Sequence, residues 1–101
     1  MYDQKNLLKL PVLGAKASSA WETFKAFDEA ALADGAIPKK YKELMAVAVA
    51  LATQCPYCIE IHAKAARKAG ATDEELAEAT FVSAAIKAGG AITHATHFVK
   101  D

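Results

Sequence analysis

Residues 38–62 read PKKYKELMAVAVALATQCPYCIEIH, and two helices joined by a turn can be laid along them. Pro38 suits the first position of a helix, where its missing N–H costs nothing. Lys39, Lys40, Lys42 and Glu43 make the opening turns polar. Met45 to Ala52 is then apolar on every side, and a helix apolar all round is expected to be buried all round. That predicts a central helix over about Pro38–Ala52, with alanines that permit close approach. Pro56 marks a second start. The helix after it is predicted to run to about Ala69, with Gly70 as its C-cap. The two helices are expected to form an antiparallel hairpin.

The neighbouring segments read as helices too. Trp21, Phe24, Phe27 and Ala31 recur at helical spacing and define an expected core face. Core or subunit contacts, rather than a cofactor box, are the expected role of Trp21 and the phenylalanines. Ser19 and Glu22 have capping-box spacing at that helix's start, and Gly35 is the expected stop near Asp34. Leu7, Leu8, Leu10, Val12 and Leu13 precede it as an apolar arm, set off by Pro11, Gly14 and Ala15-Lys16-Ala17. The arm is expected to pack on the domain or on a neighbour. On the other side, Thr72 and Glu75 form a second capping box, and Asp73, Glu74 and Glu75 suit the positive end of a helix dipole. That helix is predicted to stop at Gly89-Gly90, with a short last helix over Ala91–Lys100. The expectation is an all-α helical bundle of about five helices in one domain, residues 1–101, with the core motif in 38–90.

Composition narrows the function. Twelve basic and twelve acidic side chains cancel, so the electrostatic footprint of a nucleic-acid binder is missing. Hydrophobic residues make up 53% of the chain and charged ones 24%, which is a globular rather than a disordered balance. The longest apolar run, Met45–Ala52, falls far short of the roughly 20 residues that cross a bilayer. No apolar leader with a cleavage site is recognisable. We therefore expect a cytoplasmic protein with neither a membrane nor a nucleic acid as partner. A chain of 101 residues with an apolar arm and Ala-rich helices also has surface to bury, so a homo-oligomer is expected.

The chemistry gathers at Cys55 and Cys58, the only cysteines. A disulfide-stapled secreted domain usually carries more, so a lone Cys-x-x-Cys reads as redox or metal chemistry. Cys55 is placed at the N-cap of the second hairpin helix and Cys58 in its first turn, where partial positive charge favours a thiolate. By this argument alone Cys55, nearest the helix end, has the lower pKa. His62 follows Cys58 by four residues and so shares its face, ready to take or relay a thiol proton. Glu43 lies as far before the turn as His62 lies after it. In an antiparallel hairpin they meet at similar depth.

The pattern Glu43-x11-Cys55-x2-Cys58-x3-His62 resembles the AhpD-like alkylhydroperoxidases, part of the wider carboxymuconolactone-decarboxylase-like superfamily. The resemblance covers about Pro38 to Gly90. It implies an all-α fold that assembles into trimers or hexamers. It also implies thiol-dependent reduction of hydrogen peroxide or organic hydroperoxides, with electrons from an external dithiol such as a lipoyl group or a thioredoxin-like protein. By resemblance Cys58 is the peroxidatic cysteine, Cys55 its resolving partner, and Glu43 and His62 the proton relay. No bound cofactor and no resident metal are called for. The better-known peroxidases carry a histidine between the cysteines, where this chain has Tyr57. Tyr57 is read either as an aromatic lid over the dithiol or as packing. True decarboxylases of the superfamily lack the cysteine pair.

Other readings stay open from sequence alone. The dithiol could serve a disulfide oxidoreductase, a redox sensor or a structural oligomer. Cys55, Cys58 and His62 with Glu43 or Glu60 could hold zinc, although structural zinc sites usually join distant segments. Glu60 is expected to face solvent or to pair with Lys64. His94 and His97, three apart, are expected to be surface or interface residues that share a face.

Overall fold

The computed structural model describes all residues, 1–101, and contains helices and no strand. Five α-helices follow in order: α1 (Leu10–Ala15), α2 (Ser18–Leu32), α3 (Lys39–Thr53), α4 (Pro56–Lys68) and α5 (Asp73–His94). A 3-10 helix, Gln4–Lys9, precedes them, and another, Ala95–Phe98, follows. The expected hairpin is α3 and α4. Gln54 closes α3 in the left-handed region at φ 58°, giving its N–H to Ala50 and Leu51, and Cys55 then opens α4. Gly70, at φ 99°, lets the chain turn after α4.

Helix α5 lies along α3 and is fastened by polar contacts. Thr72 and Glu75 form the expected capping box. Glu75 also meets Lys40 at 2.9 Å, and that ammonium holds its carboxyl below the usual range. Further along, Ser83 Oγ donates to the Ala48 carbonyl at 2.8 Å and Lys87 Nζ to that of Ala52 at 3.1 Å. Val47, Ala50 and Ala66 are buried where α3 meets its neighbours, together with Glu43 and Ser83.

Several boundaries differ from the sequence reading, each for a physical reason. The apolar arm is itself helical. Asp3 caps its first turn, accepting from the Lys5 N–H at 2.9 Å, and Pro11 sits in the first turn of α1, where a proline fits. Gly14 is a seat rather than a spacer. A Cβ built on it would come within 2.3 Å of the Trp21 ring, so only glycine admits that indole. Ser19 and Glu22 make no capping box. Helix α2 begins one residue earlier, behind an uncapped Ala17, and Glu22 pairs instead with Lys25 at 3.2 Å. It also stops at Leu32, short of Gly35, because Ala33 is already extended. Pro38 is the N-cap of α3 rather than its first residue, and Asp34 accepts from the Lys39 N–H at 2.7 Å. Gly89 and Gly90 do not stop α5, so the two predicted C-terminal helices are one of 22 residues. Each glycine costs a helix only about 1 kcal/mol, and no proline or competing cap follows to end it.

The central helix is not buried all round. Val49 is 60% exposed, and Met45 and Tyr41 are about half exposed. Helices α4 and α5 cover two of its sides, whereas α2 meets it only lightly. For the same reason the expected core face of α2 stands open, with Phe27 69% exposed. The shape is accordingly long, 56 × 32 × 28 Å, with a radius of gyration of 16.9 Å. A compact domain of this length has about 13 Å.

Candidate active site

Cys55 takes the N-cap position of α4 because Pro56 fixes the first helical turn behind it. Its Sγ accepts from the Cys58 N–H at 3.4 Å, using one of the amides that a helix start leaves free. The two sulfurs are 2.7 Å apart and both thiols are free. Their environments push them in opposite directions. Cys55 is held below the usual thiol range by the Cys58 thiol and then by the Cys58 amide. Cys58 is pushed up to about 11, first by its hydrogen bond to Cys55, then by burial, then by the charges of Cys55 and Asp28. Of the two, Cys55 is therefore the first to ionise, as its place at the helix end predicts.

Glu43 and His62 meet as the hairpin geometry requires. His62 Nδ1 lies 2.7 Å from Glu43 Oε2. A carboxylate only accepts, so Nδ1 carries the hydrogen, and in the neutral ring Nε2 is left as an acceptor. Glu43 is 2% exposed, the most deeply buried large side chain of the protein. A carboxylate so buried is costly unless its oxygens are engaged. Both are: Oε2 faces His62, and Oε1 accepts from Lys39 Nζ at 3.0 Å. No buried side-chain nitrogen or oxygen lacks a partner.

Cys58 and His62 line two cavities together. The larger, about 730 Å³, is walled by Leu7, Leu10, Trp21 and Phe24 from the N-terminal segments and by Ile61 of α4. Cys55 and Tyr57 reach it as well, with Lys25, Asp28 and Glu29 at its polar edge. A smaller one, about 270 Å³, opens between α3 and α4 beside Val49 and Ala50. Tyr57 is fixed by the N-terminal segment. Its hydroxyl accepts from Asn6 Nδ2 at 2.8 Å and from the Asp3 N–H at 3.4 Å, and its ring packs edge-on against Tyr2, 4.7 Å between centroids.

All four residues expected to carry chemistry, Glu43, Cys55, Cys58 and His62, are thus gathered on one hairpin, with Tyr57 beside them. Three groups escaped the sequence reading. Lys39 read as part of a polar turn, although its place four residues before Glu43 is an ion-pair spacing. Asp28 carried no sequence signal at all, because only the placement of α2 brings it to Cys58. The N-terminal cavity wall was hidden because the arm did not read as helical. Glu60 is exposed, as expected, but makes no pair with Lys64; it accepts from the Tyr2 hydroxyl at 3.4 Å. His94 and His97 do share a face, exposed and stacked, with Nδ1 and Nε2 3.2 Å apart. No group of three or more His, Cys, Asp or Glu is arranged to hold a metal ion.

Fold and site define a class: an all-helical protein with a Cys-x-x-Cys helix start beside a buried carboxylate–imidazole pair. The chain belongs to the carboxymuconolactone decarboxylase family, whose sequence profile matches residues 20–101. A protein of Paracoccus denitrificans known as uncharacterized protein 4 in cox locus is 51% identical over 74 residues, 73% of this chain and 67% of its own length. An uncharacterized protein of Cupriavidus necator is 37% identical over 78 residues, 77% of this chain and 67% of its own. Among solved structures, a protein of Methanobacterium thermoautotrophicum superposes with a TM-score of 0.80 at 37% identity, covering 85% of this chain and 97% of that one. A carboxymuconolactone decarboxylase family protein of Legionella pneumophila, solved in its apo form, gives 0.77 at 34% identity, covering 89% and 80%.

Proposed function

We propose that this protein is a thiol-dependent peroxidase of the alkylhydroperoxidase type. The observation that carries the reading is the joint opening of Cys58 and His62 onto an apolar cavity, with Glu43 fixing the far side of the imidazole. In the proposed cycle His62 Nε2 takes the Cys58 proton. The thiolate attacks one peroxide oxygen, the O–O bond breaks, and Cys58 becomes a sulfenic acid. The departing alkoxide takes the proton back and leaves as alcohol, or as water from hydrogen peroxide. Cys55 then attacks the sulfenic sulfur, water leaves, and the disulfide forms. An external dithiol, lipoyl or thioredoxin-like, restores the pair by exchange and is itself oxidised. The wall of Leu7, Leu10, Trp21, Phe24 and Ile61 suits an organic hydroperoxide.

One observation favours a second reading. Cys55 is the thiol that ionises more readily, which suits a disulfide oxidoreductase whose N-terminal cysteine attacks. Trapping with a sulfenic-acid reagent separates the two. Peroxide treatment of Cys55→Ser should leave a trapped sulfenic acid on Cys58. A sulfenic acid on Cys55 in the Cys58→Ser protein, with none in its counterpart, would reverse the roles.

We also propose a homo-oligomer, a trimer or hexamer. The isolated chain exposes 7,664 Å² and buries only seven residues. A folded monomer of this mass exposes about 5,500 Å². The excess is of the size that subunit interfaces bury.

A further inference from the structure

Lys39 stands where three parts of the molecule meet. Its Nζ donates to Glu43 Oε1 at 3.0 Å and to the Leu32 carbonyl at 3.3 Å, the last residue of α2. It therefore ties the end of α2, the helix that supplies Trp21, Phe24 and Asp28 to the cavity, to the buried carboxylate behind His62. We infer that Lys39 is a positioning residue for the Glu43–His62 pair. By occupying Oε1 it directs Oε2 to the imidazole, and its charge offsets that of Glu43. The inference rests on the reading of Glu43 and His62 as the proton relay, but not on peroxide as the substrate.

The sign of its effect follows from Coulomb's law. With Lys39 in place, the cation cancels part of the negative charge that His62 feels. Without it, the Glu43 carboxylate acts on the ring unopposed and holds a proton there to higher pH. The other ionisable groups around His62 are unchanged by the substitution. They are Cys55 and Cys58 at the start of its own helix, with Lys25, Asp28 and Glu29 from α2 at the shared cavity. From α5, Glu75 is engaged by Lys40 and Lys87 by the Ala52 carbonyl. Lys39 is 45% exposed, so solvent screens part of its charge.

The test is an NMR titration of the histidine ring signals in the reduced full chain, with His62 identified by signal loss in His62→Asn. Lys39→Met should move the His62 midpoint alkaline, the direction expected on removing a neighbouring cation. Lys39→Arg, which keeps the charge and the donor, should titrate as the native chain does. Lys39→Gln serves as a second neutral variant should the methionine protein not fold. An unmoved midpoint in both neutral variants overturns the inference. Loss of peroxide turnover in the native protein, with the titration shift intact, would sink the peroxidase reading and leave Lys39 in its role.

Discussion

Within the dithiol the two sulfurs differ: Cys55 is held below the usual thiol range, and Cys58, which lines the cavities with His62, is pushed above it. Thiolate is the form that alkylates, so the pair should react in sequence. Between pH 7 and 8, limiting iodoacetamide should label Cys55 well before Cys58. Cys58 should lag because its thiol is pushed up to about 11, and raising the pH toward that value should release it. Peptide mass mapping after timed quenching checks the order; equal labelling would remove the asymmetry. This much was legible beforehand, since the helix start singles out Cys55 and the four-residue step links Cys58 to His62. Asp28 and the second partner of Glu43 were not. The first depends on where another helix comes to rest. The second lay in plain view at an ion-pair spacing but read equally well as a solvated turn.

Elements fail or hold according to a few local contacts. Gly14→Ala would drive a methyl group into the Trp21 ring and unseat α1 from α2. We expect a loss of about 1–3 kcal/mol, the usual cost of overpacking. Trp21 is the only tryptophan, so its fluorescence should report the displacement directly. Native emission with an unchanged melting temperature would contradict the seat. Thr72→Ala removes an observed cap from α5 and should cost about 1 kcal/mol by thermal unfolding. Ser19→Ala should cost little, since that hydroxyl caps nothing. The contrast explains which helix signals were readable. Thr72 and Glu75 stand at a true chain reversal after Gly70. Ser19 and Glu22 have the same spacing but lie inside a helix already begun. Gly89-Gly90 misled for a related reason, because a glycine weakens a helix without ending it.

At the scale of the whole molecule the isolated chain is too long and too thinly packed for its size. Met45–Ala52 and the aromatic face of α2 have the apolar pattern of a core. A single chain provides too little to cover them. Val49, Phe27, Phe81 and Ile86 all stand largely exposed. A pattern of apolar residues records that a face is to be buried and not which chain buries it. Sedimentation at micromolar concentration should therefore give a multiple of 10.7 kDa, a trimer or hexamer. A monomer at that concentration would count against the assembly and would leave those faces unexplained.

The Cys55–Cys58 pair, served by His62, is proposed to reduce peroxide. Stopped-flow mixing of the fully reduced protein with an organic hydroperoxide tests it most directly, followed by thiol counting and intact mass. Rapid loss of both thiols to one intramolecular disulfide is the predicted result, abolished in Cys58→Ser and restored to the reduced state by a dithiol. Persistence of both thiols under excess hydroperoxide would contradict it.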